Sequence, residues 1–291
     1  MSDAVRQSEF PSLPPGEDEL PCRDGEPMES ERHAKQKNLL AESLALAWAD
    51  RTDVYVGNEM AIYFSELQAR NNDFRAPDVF VVLDTTRRVR KSWVVWQEGG
   101  RTPDVVIELL SASTEAVDRG DKMRIYSRIL RVSNYYLFDP DSGVFEGYRL
   151  DPDKRQYAPL APQPGGDLPC PVLGLSLGLR PGTFQSVELS WLRWITPDGA
   201  VLPSGEEAAR SAQEQARSAQ EQARRAQEQA RSAQEEARSA QEEARRAQEE
   251  ARSAQEQARS AEDKAATLTE QLAQARAEIE RFKVSGGTEK L

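Results

Sequence analysis

Histidine is nearly absent from this 291-residue chain, in which His33 is the only one. That scarcity excludes a Ser-His-Asp hydrolase, a Cys-His protease, an H-E-x-x-H metalloprotease and a histidine-ligated metal nuclease, all of which need more or better-placed imidazoles. Cysteine is almost as scarce. Cys22 and Cys170, one near the start and one in a Pro-rich loop, support neither a disulfide framework nor a thiolate zinc site. No Gly-rich phosphate loop of either common spacing occurs. Nor does any apolar run approach the roughly 18 residues of a membrane span, and the acidic beginning lacks the basic and apolar regions of a signal peptide, so the expected location is the cytoplasm. Aromatic residues all but vanish after Ser204, where Phe282 stands alone. The chemistry must therefore come from carboxylates and lysine, in the stretch that holds the aromatics.

The net charge of −11 would argue against a polyanionic partner if it were spread evenly. It is not: residues 1–34 carry −6 and residues 201–291 carry −3, which leaves residues 35–200 nearly neutral at −2. The acidic total says little about what the central part binds.

Four segments follow from composition. Residues 1–34, acidic and rich in proline, cannot offset their ordering entropy and are expected to be a disordered arm. Residues 35–200 are expected to fold, with a helix over 35–50, β-branched runs at DVYVGNEMAIYF and RAPDVFVVLD forming a hairpin or meander, and SWVVWQE as a short strand or ordered loop. PDVVIELL, apolar except for its acids, reads as a central strand covered on both faces. Ser113 or Thr114 can cap a helix over roughly 119–130 with Met123, Ile125, Tyr126, Ile129 and Leu130 inward. SNYYLFDP and GVFEGYRL then pair across the DPDSG turn, and a Pro/Gly-rich loop at 159–174 leads to an amphipathic segment bearing Trp191 and Trp194. Helix, antiparallel strands, helix and strands make an α+β, mixed α/β, pattern.

Residues 201–283 are a heptad repeat. Alanine fills both apolar seams from Ala209 and Ala212 onward, giving way to Leu268, Leu272, Ile279 and Phe282 without a stutter. A left-handed coiled coil or a long single helix follows. Each alanine buries on the order of one methyl group, so either a solvated spacer or an oligomerisation rod fits. Residues 284–291 are expected to be a disordered tail.

Asp78 and Glu108 sit in strand-like runs about thirty residues apart. Burying a carboxylate costs several kcal/mol unless a cation or a hydrogen-bond network offsets it. Alternation puts Asp104, Val106 and Glu108 on one strand face. If the strands are neighbours, Asp78 and Glu108 can share a divalent ion. Mg²⁺ takes one or two carboxylates plus waters and substrate phosphate. Lys122, on the following helix, can reach back to orient or activate a water. Each residue also has an ordinary reading: a strand-start cap for Asp78 and Asp104, a structural ion pair for Glu108, and solvated helix surface for Lys122, Arg119, Arg124, Arg128 and Arg131.

The pattern of Asp78, Glu108 and Lys122 resembles the bacterial Uma-type restriction endonuclease family of the PD-(D/E)XK superfamily, in the form whose lysine stands on the next helix. The resemblance covers about residues 50–190, through GNEMAIYF, RAPDVFVV, PDVVIELLSAST, DRGDKMRIYSRI and SNYYLFDP. It implies a restriction-endonuclease-like mixed sheet flanked by helices, Asp78 and Glu108 as ligands of Mg²⁺ or Mn²⁺ with Asp104 as an addition and Glu59 as a weaker one on the preceding strand, Lys122 as the catalytic lysine, and DNA as substrate. Position 110, where the parent motif has lysine, is Leu110. A nuclease-fold scaffold that binds without cutting, self-associating through domain contacts and the C-terminal helix, is the alternative. A glycosidase is disfavoured, because the acids cluster with a lysine and no aromatic sugar platform is apparent.

Overall fold

Short β-branched and aromatic runs build a six-stranded mixed sheet in the computed structural model, which describes residues 14–20, 30–65 and 74–285. The chain runs through helix α1 (Glu31–Ala47) to β1 (Val54–Asn58), β2 (Ile62–Tyr63), β3 (Val79–Leu83), β4 (Trp93–Val94) and β5 (Val105–Leu109). Helix α2 comes in three stretches: α-helical Glu115–Val117, a π-helical turn at Asp118–Lys122 and α-helical Met123–Arg128. It is followed by β6 (Asn134–Phe138), β7 (Phe145–Asp151), β8 (Gln156–Pro159), β9 (Leu168–Cys170), β10 (Leu175–Phe184), β11 (Val187–Ile195) and helix α3 (Gly205–Ser285).

The main sheet has the order β1-β3-β5-β6-β7-β8. In it β5 and β6 run parallel and the other neighbours antiparallel. A parallel pair needs a crossover, and α2 supplies it. Two further ladders complete the strands, β11-β10-β9 and the short parallel pair β2-β4.

Every side chain of β5 is buried, because alternate residues meet a different layer. Val105, Ile107 and Leu109 pack with Leu40 and Leu44 of α1 and with Trp194, while Val106 and Leu110 pack with Ile125, Tyr126 and Leu130 from the α2 side. Burying each such side chain contributes about 1.5–3 kcal/mol. Glu108, 1% exposed, interrupts that apolar strand.

Several expectations change. The arm over 1–34 is ordered in part, since the Pro15 carbonyl accepts the Trp96 indole N–H at 3.3 Å, Glu17 pairs with Arg88 at 2.9 Å and Leu20 packs near Tyr63 and Val94. Helix α1 begins at Glu31 rather than Lys35, because the Ser30 hydroxyl accepts the His33 N–H at 3.2 Å. Residues 1–13 and 21–29 of the arm, the QARNND stretch at 68–73, and residues 286–291 lie outside the described residues. β1 and β3 are antiparallel neighbours, but Ile62–Tyr63 leaves the sheet to pair with Trp93–Val94. Ile129 is half exposed, for the α-helical turns end at Arg128. The segment with Trp191 and Trp194 is a β-hairpin strand, reached through Gln185 and Ser186, whose φ of 47° and 62° are those of a two-residue type I′ turn.

By its contacts the chain divides into two compact units, Met1–Ala212 and Gln213–Leu291. Within the first, α3 starts in a capping box: the Glu207 N–H donates to Ser204 Oγ and the Ser204 N–H to Glu207 Oε2 at 2.8 Å. In the second unit α3 continues as a single helix whose described side chains are exposed. Among the described residues no helix is long and apolar enough to cross a membrane.

Candidate active site

The antiparallel register pairs Val79 with Ile107, so one step further Asp78 comes opposite Glu108. The contact is reciprocal: the Asp78 N–H donates to Glu108 Oε2 at 3.3 Å and the Leu109 N–H donates to Asp78 Oδ2 at 2.7 Å. Two carboxylates from separate strands thus converge at one end of the β3-β5 ladder.

Helix α2 brings the cation. Asp118 and Lys122 bracket the π-helical turn, and Lys122 Nζ lies 3.2 Å from Glu108 Oε2 and 2.8 Å from Asp118 Oδ1. One turn on, the Tyr126 hydroxyl donates to Glu108 Oε1 at 2.8 Å, and Tyr135 donates to the Asp118 carbonyl at 2.9 Å, holding the π turn against the sheet. A π turn within an α-helix frequently marks a functional site.

Helix α1 supplies a second lysine. Lys37 is buried, lies 3.4 Å from Asp78 Oδ1 and bonds Glu59 directly. Glu59 has φ of 47°, the left-handed region a non-glycine residue adopts only at a cost, and its N–H donates to the Asp78 carbonyl at 3.2 Å. His33 ties α1 to the end of β5, its Nε2 lying 3.1 Å from the Leu110 carbonyl oxygen.

Asp78, Glu108 and Lys122 therefore meet, and Glu59 joins them through Lys37. Asp104 does not. It shares strand parity with Glu108, but four residues of strand separate the two by about 13 Å. Its carboxylate instead accepts the Leu83 N–H at 2.8 Å, at the far end of the ladder. The expectation of Asp104 as a metal ligand is corrected accordingly: facing the same way is not being in the same place. Leu110 is buried beside Ile125 and Leu130, so the cation at this site comes from α2. Arg119, read above as solvated helix surface, is held by Glu146 through two bonds of 2.8 Å and by Glu115. Lys37, Asp118 and Tyr126 had no signal of their own in the sequence; i, i+4, i+8 spacing from Asp118 through Lys122 to Tyr126 was the available clue for two of them.

Burial pushes the Glu108 carboxyl up to about 8, against the pull of Lys122 and with reinforcement from Asp118 and Asp78. Burial likewise raises Asp78, opposed by Lys37 and the Leu109 N–H. For Lys122 burial works toward neutrality, but Glu108 and Asp118 outweigh it and raise the ammonium above its ordinary value. Lys122 is thus a fixed positive charge, suited to stabilising an anion rather than to taking a proton.

Among the described residues no group of three or more His, Cys, Asp or Glu is arranged to hold a metal ion. The donor set that does converge is two carboxylates with no nitrogen or sulfur ligand. That chemistry fits a hard cation completing its shell with water and phosphate oxygens: both Asp78 oxygens and Glu108 Oε1 keep a lone pair beyond the one donor each faces, while Glu108 Oε2 already faces the Asp78 N–H and Lys122.

A family model described as "Putative restriction endonuclease" (Uma2) matches residues 8–185. An uncharacterised protein of Synechocystis sp., slr1290, is 27% identical over 123 residues, or 41% of this chain; the match spans 60% of that relative's length. A crystal structure from Anabaena variabilis, described as a putative nuclease of the DUF820 family, is 16% identical and aligns over 56% of this chain and 80% of its own, with a TM-score of 0.38.

Proposed function

The chain belongs to the Uma2 family, described as putative restriction endonuclease, and on that premise we propose that its site hydrolyses phosphodiester bonds of DNA with the help of Mg²⁺ or Mn²⁺. The single observation that carries the reading is Lys122 Nζ lying 3.2 Å from Glu108 Oε2, beside Asp78 on the neighbouring strand. Asp78 and Glu108 are the residues that would hold the ion. When bound, it would act as a Lewis acid toward the phosphate and lower the pKa of a coordinated water.

The other roles belong to the chain itself. Lys122 places a permanent positive charge where a phosphate gains negative charge, and an oriented cation of this kind costs no reorganisation during the reaction. The Leu109 N–H and the Tyr126 hydroxyl fix the rotamers of Asp78 and Glu108. Lys37 holds the outer oxygen of Asp78 and offers a second cation on the α1 side.

A scaffold that binds without cutting is favoured by one observation: all four oxygens of Asp78 and Glu108 face a protein donor or cation. Plasmid DNA incubated with Mg²⁺ or Mn²⁺ separates the readings. The nuclease reading expects nicking by the wild type, a fall of about 10²-fold or more in Asp78→Ala, Glu108→Ala and Lys122→Ala, and retained activity in Asp104→Asn. Equal cleavage by all five proteins sinks the assignment of the site. The scaffold reading expects no cleavage and no heat of Mg²⁺ binding by calorimetry.

A further inference from the structure

Helix α3 leaves one face uncommitted, and its chemistry indicates what covers it. With Ala209 and Ala212 at heptad positions a and d, alanine recurs at both through Ala265, and the stripe continues to Leu268, Leu272 and Ile279. Arginine at b and glutamate at f pair along the helix: Arg217 with Glu221 at 3.4 Å, Arg231 with Glu235 at 3.1 Å and Arg252 with Glu256 at 3.3 Å. Those positions lie on the back, away from a and d. The flanking positions e and g, from Gln213 to Gln257, hold only glutamine and glutamate. Leu268, Leu272 and Ile279 are 59%, 57% and 56% exposed. A charged back, flanks free of cations from Gln213 to Gln257 and an apolar stripe of period 3.5 make the seam of a coiled coil, with Lys264 at g and Arg276 at e beside its leucine end, and alanine knobs allow backbones to approach to about 8 Å.

We propose that this face is covered by helix α3 of a second copy of the chain, lying parallel and in register. Direction follows from charge. In a parallel pair each g residue faces the partner's e residue of the next heptad, so Glu236, Glu243 and Glu250 meet Gln241, Gln248 and Gln255, whose amides donate to carboxylates. In an antiparallel pair g faces g, and alignment about the helix middle sets Glu243 against itself and Glu236 against Glu250. Parallel register also stacks Leu268, Leu272 and Ile279 on their own copies, whereas the antiparallel one spreads them over alanine. The inference rests on α3 alone and is independent of the hydrolytic reading.

The test uses the full chain with Cys22→Ser and Cys170→Ala, carrying Ala219→Cys or Ala261→Cys, both at d and far from the helix middle. Sedimentation over a concentration series should read twice the 32.5 kDa of one chain, and each variant alone should oxidise to a disulfide-linked pair. Adding Leu268→Asp and Leu272→Asp should return the mass to one chain and abolish the disulfide. A single-chain mass throughout, a mass of three or more chains, a disulfide formed only on mixing the two variants, or a double mass that survives the aspartates without a disulfide would each overturn the proposal.

Discussion

Replacing Glu108 with glutamine removes the group whose ionisation the fold opposes most directly, and the consequence for stability has a definite sign. Burial holds this carboxyl at about 8 when folded, against an ordinary value of 4.5. Between those pH values the unfolded chain releases a proton that the folded chain keeps. The contribution of this residue to the stability of the metal-free wild type therefore falls as pH rises, by up to about 1.4 kcal/mol per pH unit. From pH 5 to pH 8 the loss from this residue comes to about 3.5 kcal/mol. Glu108→Gln keeps the volume and an acceptor for Tyr126 but has nothing to titrate, so its stability relative to wild type should improve by about that amount over the same range. Urea denaturation at several pH values in the presence of a chelator measures it. Tryptophan fluorescence suits the assay, since all five tryptophans, from Trp48 to Trp194, lie in the unit Met1–Ala212. Identical pH slopes for the two proteins would refute the claim that burial governs this carboxyl. If the proposed metal binding is right, Mg²⁺ added at pH 8 should stabilise the wild type by mass action and the variant less.

Other substitutions probe the same network. Lys122→Met leaves Glu108 and Asp118 buried without their shared cation and should cost about 3 kcal/mol, read from the denaturation midpoint. Tyr126→Phe strips one hydrogen bond from the buried Glu108 carboxyl and should cost about 1–3 kcal/mol, read from the same midpoint. Arg131→Gly, at an exposed position with φ of 54°, should raise thermal stability by the equivalent of about 1 kcal/mol. Arg193→Ala, which removes contacts to Glu207 and the Leu202 carbonyl, should cost about 2 kcal/mol, visible as a lowered denaturation midpoint.

Much of the architecture was written in local pattern. Continuous β-branched and aromatic runs marked β3, β5 and β6, the Asp-Pro-Asp-Ser-Gly turn marked the β6-β7 hairpin, and an unbroken heptad marked α3, because such patterns are properties of neighbours in sequence. Asp78 and Glu108 were legible for the same reason: an acid inside an apolar strand needs a partner. What local pattern cannot convey is position along an axis. Asp104 has the parity of Glu108 yet sits at the other end of the strand, and only the β3-β5 register sets Asp78 beside one and Leu83 beside the other. Lys37 and Tyr126 read as ordinary helix residues until α1 and α2 pack on the sheet and aim them at the two acids. The chain by itself determined which residues had to be buried and which acids demanded compensation. Tertiary packing decided which cations and donors compensate them, since those contacts join residues as far apart as Lys37 and Asp78, and no periodicity reaches that far.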